Sequence, residues 1–285
     1  MNVLNYDPLR RGLASLILNV PYTNYDGHEE CMHILHPQDI SLPGHPRHPL
    51  IVFVQGSGWT KPNFTYEIPQ LSEFARAGYV VATIDHRHAK EAPGRLGFLE
   101  DAKAAIRFLR ANAAQYGIDP ERVCIWGTSS GGNTALLVGM TWDKPEFDVG
   151  DHLEQSSRVQ LVVDTFGPAD LASIVKARFT DRNNYDPEST FAYLAGGFPG
   201  DNIPLFEKMS PACYVAEGKE LPPMLIMNGT DDAAVSYESS FRFYRQMKNA
   251  GYDVDFLNVQ NGPHEVTFWT PEVFSAIHRY IDERL

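Results

Sequence analysis

The run Val123-Cys124-Ile125-Trp126-Gly127-Thr128-Ser129-Ser130-Gly131-Gly132-Asn133-Thr134-Ala135-Leu136-Leu137 reads as a short apolar strand, a turn of small residues and then a helix. A turn that reverses the chain this sharply leaves no room for side chains two positions before and two positions after its apex. Gly127 and Gly131 stand at those positions. The apex residue is held in a strained conformation with its side chain above the sheet, which makes Ser129 the candidate nucleophile. Slipping the frame by one residue would promote Ser130, but it would put the branched Thr128 where the turn wants glycine. In the preferred frame Ser130 opens the helix, and its backbone N–H, at the positive end of the helix dipole, is a candidate donor to charge developing on a substrate.

The 285 residues are 43% hydrophobic and 12% aromatic, enough for one large globular domain over residues 1–285. A formal charge of −12 opposes nucleic acid and anionic membrane surfaces, so the expected partner is a small, neutral or weakly charged molecule. A homo-oligomer is compatible with this balance. No stretch approaches the length of a membrane span. Cys31, Cys124 and Cys213 lie far apart without metal or redox spacing and read as small buried residues. Leu9 to Val20 carries two arginines and then a short apolar run, but it lacks a small-residue cleavage site and breaks at Asn19. It reads as an early strand or irregular lead-in, and the expected compartment is the cytoplasm.

Residues 1–49 form an N-terminal edge segment in which the alternation of Glu30 to Leu35 predicts an antiparallel hairpin. His28, His33, His36, His45 and His48 match no metal-ligand spacing and are expected to be solvated loop residues. Leu50 to Val54 is a continuous apolar run, the mark of a strand covered on both faces. It ends in Gln55-Gly56-Ser57-Gly58-Trp59, where the N–H groups of Ser57 and Gly58 are candidate oxyanion donors. A helix over Ile68 to Ala77 and a strand over Tyr79 to Ile84 follow. Next comes a loop in which Arg87 is expected to pin the chain to a carboxylate such as Asp101, and His86 and His88 read as structural or solvated. The helix Phe98 to Tyr116 shows Leu99, Ala102, Ile106 and Leu109 on one buried face, with its charges mostly elsewhere.

Beyond the central helix, Asp143 to Ser157 reads as a surface connection and Val159 to Phe166 as a buried strand. Residues 169–215 are irregular, and an insertion of this size is expected to form a lid or pocket wall. The strand Pro223 to Met227 leads to Asp231 and Asp232. A helix over Tyr237 to Ala250, a strand over Val254 to Val259 and a loop holding His264 follow, and Thr270 and Pro271 open the last helix.

Strands alternating with helices imply an α/β fold with a mostly parallel sheet wrapped on both faces, which binds ligands at the C-terminal ends of its strands. Gln55 to Trp59, Ser129, Asp232 and His264 all fall there. A serine hydroxyl needs a base, and His264 is the imidazole in place to supply it. The imidazole in turn needs a carboxylate, for which Asp232, Asp231, Glu265 and Asp164 are the candidates. This chemistry requires no metal and no organic cofactor.

These motifs resemble those of the α/β-hydrolase carboxylesterases, especially the acetyl-xylan and feruloyl esterase branch and, more distantly, hormone-sensitive lipase. The resemblance covers roughly residues 50 to 280. It rests on Gln55-Gly56-Ser57-Gly58-Trp59 in place of His-Gly-Gly-x-Trp, Asp85-His86-Arg87 in place of Asp-Tyr-Arg, Gly127 to Gly132, Asp232 three residues before Val235, and Gly262-Pro263-His264. It selects Asp232 over Asp231. It implies a catalytic set of Ser129, Asp232 and His264, an oxyanion hole from Ser57, Gly58 and Ser130, and a pocket that includes Trp59. It further implies hydrolysis of short acyl esters, acetyl or feruloyl groups on plant polysaccharide among them. Gln55 for histidine and Ser57 for glycine are departures that leave backbone donation intact. An arylformamidase, a peptidase of the prolyl oligopeptidase type and a non-catalytic binding protein on the same fold are the competing readings; the peptidase normally carries a further large domain.

Overall fold

The protein was analysed as a computed structural model, which describes residue 3 and residues 13–25, 27–41, 44, 46–216 and 218–285. His45 and the start of the Leu9 to Val20 segment lie outside the described residues. The continuous apolar runs form the interior of one sheet. Its strands are β1 (Ala14–Tyr25), β2 (His28–Pro37), β3 (His48–Val54), β4 (Val80–Ile84), β5 (Ile118–Thr128), β6 (Leu161–Thr165), β7 (Met224–Gly229) and β8 (Val254–Val259), in the order β1-β2-β4-β3-β5-β6-β7-β8. β1, β2 and β4 pair antiparallel, and all pairs from β4 through β8 are parallel. This is the mostly parallel α/β-hydrolase architecture expected from the sequence.

Alternation along a strand sends successive side chains to opposite faces, and the Leu50–Val54 run is buried throughout because both faces are covered. Leu50, Val52 and Val54 join the cluster packed by α2 (Gly97–Ala111), α3 (Ser130–Met140) and α7 (Tyr237–Asn249). Ile51 and Phe53 join the opposite cluster, packed by α1 (Ile68–Ala77) and α8 (Pro271–Arg284). The irregular insertion contains α4 (Leu171–Arg178), α5 (Thr190–Ala195) and α6 (Ile203–Lys208). Thr270 caps α8 by accepting the Val273 N–H, as Thr-Pro at that position predicts. Among the described residues no helix is long and apolar enough to cross a membrane.

The helix expected over Phe98 to Tyr116 stops at Ala111, and the chain turns back so that the Ile118 N–H reaches Ala113 O at 2.8 Å. More consequential is its burial. Glu100, Asp101, Lys103 and Arg107 are buried along with the apolar positions, because α2 is covered on more than the single face that its pattern implied. Each charge has partners from elsewhere. Arg87 donates to Asp101 at 2.7 Å and to Glu100 at 2.9 Å, the pin expected from the sequence. Lys103 Nζ donates to Thr141 O at 2.9 Å and pairs with Asp148 at 3.2 Å, and Arg107 Nη1 meets the same Asp148 oxygen at 3.0 Å. The stretch from Asp143 to Ser157 is therefore more than a surface connection: it carries the counter-ion for two buried cations.

The histidines of the edge segment also depart from expectation. His33, His36 and His48 are buried in strands rather than solvated in loops. His33 accepts the Asn19 N–H at 3.0 Å and stacks on Phe64, while His48 Nδ1 bonds Gly78 O at 2.9 Å. Of the cysteines only Cys124 is buried; Cys31 is half-buried and Cys213 exposed.

Candidate functional site

β5 ends at Thr128 and α3 begins at Ser130, so Ser129 alone makes the turn, with φ +50° and ψ −120°. A positive φ costs a non-glycine residue roughly 1–2 kcal/mol, and the packing here holds it in place. A Cβ on Gly127 would lie 2.0 Å from Gly131 O, and one on Gly131 would lie 2.0 Å from Val54 O. Both positions therefore exclude any side chain. The Ser129 N–H donates to Thr165 O at 2.9 Å on the neighbouring strand, anchoring the apex to the sheet.

Two further loops leave the sheet at the same end. Beyond β7, Asp232 has a fully buried side chain whose Oδ1 accepts the N–H groups of Ala234 and Val235, each at 2.8 Å. Beyond β8, the chain turns at Gly262, whose carbonyl accepts the Asp231 N–H at 3.0 Å. A Cβ on Gly229 would lie 1.9 Å from Gly262 O, so the two loops pack backbone to backbone. This brings His264 Nδ1 to 2.8 Å from Asp232 Oδ2, and His264 Nε2 to 3.0 Å from Ser129 Oγ. A carboxylate only accepts, so Nδ1 carries the proton and Nε2 is left to accept from the serine hydroxyl.

The alternatives for the carboxylate lie elsewhere. Asp231 is exposed, and Asp164 is buried beneath α3, where it accepts the Gly167 N–H at 2.8 Å. Glu265 has φ +57°, and its Oε1 would lie 2.9 Å from a Cβ on Gly56. Burial raises the Glu265 carboxyl above its ordinary range. Burial and then Glu265 push the nearby Glu67 up to about 7, so a buried and a half-buried acid lie behind the loop that follows β3.

That loop is held by hydroxyls on either side of Ser129. The Gly56 N–H donates to Thr128 Oγ1 at 2.8 Å and the Ser57 N–H donates to Ser130 Oγ at 2.9 Å. Ser57 is thus corrected as a free donor: its amide is occupied within the protein. Ser130, the first residue of α3, has no intrahelical acceptor for its own N–H, and Gly58 at φ +61° has open space where a side chain would be. Gln55 Oε1 accepts the Asn63 N–H at 2.5 Å, so this residue ties the loop to the chain beyond it. The roles of the Thr128 and Ser130 hydroxyls had no signature in the motif, since a hydroxyl beside a turn has many ordinary uses.

Trp59 is largely buried, packed against Phe98 and Phe191 at ring separations of 6.3 and 6.4 Å, and its Nε1 has no hydrogen-bond partner among the described residues. It borders a cavity of ≈ 250 Å³ shared with Lys61, His88, Lys90, Glu188 and Tyr193. Phe191, from the segment 169–215, is itself packed by Phe179 and Phe206 at 5.5 and 5.9 Å.

Residues 38–247 match the BD-FAE family. Over 258 residues the chain is 26% identical to the esterase LipQ of Mycobacterium tuberculosis, an alignment covering 89% of this chain and 58% of LipQ. It thus spans little more than half the length of that relative. Its fold superposes on a truncated carbohydrate esterase from gut microbiota with a TM-score of 0.81 at 27% identity, covering 97% of this chain and 98% of the other. A thermophilic esterase from Thermogutta terrifontis, Est2, superposes with a TM-score of 0.70 at 26% identity, covering 98% and 92%. With the match spanning most of its length, including the turn at Ser129 and the loop at Asp232, the chain belongs to the BD-FAE family.

Proposed function

We propose that the protein is a serine carboxylesterase that cleaves short acyl esters through a covalent acyl-enzyme. The carrying observation is the unbroken hydrogen-bonded row from Ser129 Oγ through His264 to Asp232 at 3.0 and 2.8 Å. As an ester carbonyl approaches, His264 Nε2 takes the Ser129 proton while Oγ attacks, and Asp232 stabilises the resulting imidazolium. The N–H groups of Ser130 and Gly58 stabilise the oxyanion, each such donor contributing about 3–4 kcal/mol to the barrier reduction. His264 then protonates the leaving alcohol and activates the water that releases the acid.

We read the substrate as an acetyl or hydroxycinnamoyl ester of a carbohydrate. Membership of the BD-FAE family and likeness to a gut carbohydrate esterase support that class. A cavity lined by Trp59 and Tyr193 together with polar and charged groups suits a sugar ring. Residues 169–215, which place Glu188, Thr190 and Tyr193 on the cavity and Phe191 against Trp59, serve as the wall of that pocket.

The test is hydrolysis of p-nitrophenyl acetate, butyrate and octanoate, with N-formylkynurenine as the contrasting amide. We expect acetate to be preferred, Ser129→Ala to reduce kcat by more than about 10⁴-fold and Asp232→Asn by about 10³–10⁴-fold. Full turnover by Ser129→Ala, or preference for the formamide, sinks this reading.

A further inference from the structure

We propose a cation site at the end of the β1–β2 hairpin, formed by His28, Glu30 and Glu91 and suited to Zn²⁺ or Mn²⁺. A ligand atom from each of the three residues lies within 4.8 Å of the others. A four-coordinate zinc with bonds of about 2.0–2.2 Å spaces its donors by roughly 3.4 Å, so closing the site needs only a small side-chain adjustment.

Alternation along β2 puts His28 and Glu30 on the same face of the hairpin, and Glu91 comes to them from the loop after β4. Glu30 is only 4% exposed, yet among the described residues its carboxylate takes no hydrogen bond and no ion pair. Such burial is costly for a charge left uncompensated. The neighbouring cations are bonded to other carboxylates. Asp85 is paired with Lys61 at 3.2 Å, and Asp101 with Arg87 at 2.7 Å. Directly across the hairpin from Glu30, Thr23 is also 4% exposed, and its Oγ1 is a buried polar atom without a hydrogen-bond partner among the described residues.

Glu91, by contrast, is already oriented: its Oε2 accepts the His88 N–H at 3.1 Å. One imidazole and two carboxylates form a mixed nitrogen and oxygen set that fits zinc or manganese better than the all-oxygen shells of calcium or magnesium. An ion here would fasten the hairpin to the loop whose Ala89 N–H bonds Trp59 O at 2.9 Å. Its role is to brace the pocket, and the ester chemistry proceeds without it.

The experiment is calorimetric titration of the chelator-treated protein with ZnCl₂ and with MnCl₂, alongside thermal melts with and without the metal. We expect one saturable site per chain and a rise in Tm on loading. Glu30→Gln and His28→Ala should each weaken binding at least ten-fold and abolish the Tm rise, with Glu91→Gln weakening it as well. Glu30→Gln removes the ligating carboxylate and keeps the side-chain shape, so its loss of binding is separable from loss of fold by circular dichroism. Absence of a saturable site in the wild type, or wild-type affinity in Glu30→Gln and His28→Ala, overturns the proposal. So does binding that disappears in His264→Ala and persists in the other variants, which would put the ion at Ser129.

Discussion

The Ser57 N–H donates to Ser130 Oγ at 2.9 Å, so the loop that follows β3 hangs from the first residue of the helix that follows Ser129. With the Gly56 N–H on Thr128 Oγ1, both neighbours of Ser129 hold that loop by hydroxyls. Ser57 acts here through its backbone, as any residue other than proline could. Its amide is a structural donor, and the Ser57 hydroxyl is turned away to donate to Thr60 O at 2.7 Å.

Removing the acceptor should loosen the loop without touching the reacting atoms. Ser130→Ala is expected to lower kcat about ten-fold with little change in KM, the size of one net hydrogen bond. Steady-state kinetics on p-nitrophenyl acetate measure it, and an unchanged kcat would show that the tether has no part in positioning.

The packing at the turn leads to a stability prediction. A methyl on Gly131 meets the Val54 carbonyl at 2.0 Å, a backbone contact that cannot give way. Gly131→Ala should cost more than about 3 kcal/mol, whereas Gly251→Ala, at φ +84° in open space, should cost about 1–2 kcal/mol of backbone strain alone. Urea melts of the two variants distinguish a steric role from a conformational one.

A pH dependence follows from Glu67. Burial and the adjacent Glu265 carry its carboxyl to about 7 from an ordinary 4.5, so the folded protein keeps a proton that the unfolded chain gives up between those values. The unfolded state binds fewer protons there, and stability on this account falls as pH rises from about 4.5 to 7 and then levels off. Glu67→Gln should flatten that slope and be more stable at pH 8 by about 2 kcal/mol, allowing for solvent at the edge of the site. Denaturant melts from pH 4 to pH 8 would show it, and identical slopes in the two proteins would contradict it.

Asp148 holds two cations that the fold buries. Its Oδ1 meets Arg107 Nη1 at 3.0 Å and Lys103 Nζ at 3.2 Å, and burial lowers the affinity of both cations for their protons. Asp148→Ala should destabilise by about 3–5 kcal/mol, since it strands buried positive charge. Adding Lys103→Met should recover part of the loss in a double-mutant cycle.

Most of the sheet was legible from local pattern. Leu50 to Val54 is a strand as read, because an apolar run bounded by turn residues needs no distant information. The helix over Ile68 to Ala77 ends at Gly78, with φ +111°, as its sequence implies. The turn at Ser129 and the loops bearing Asp232 and His264 were legible for a related reason. Each is a short stretch whose glycines and chain order reflect steric demands within a few residues.

The misreadings share one cause. Lys103 and Arg107 looked like the solvated side of an amphipathic helix because their counter-ion, Asp148, comes from a loop beyond α3. His33 and His48 looked like loop residues because their partners, Asn19 and Gly78, belong to other segments. Residue chemistry along the chain was enough to specify a mostly parallel sheet and to nominate Ser129 and His264, while Asp232 was singled out from its neighbouring carboxylates only by the resemblance of motifs. Their spacing of 3.0 and 2.8 Å, the occupied Ser57 amide and the meeting of His28, Glu30 and Glu91 depend on how separate loops pack, since hydrogen bonding and burial between distant segments leave no periodic trace in sequence.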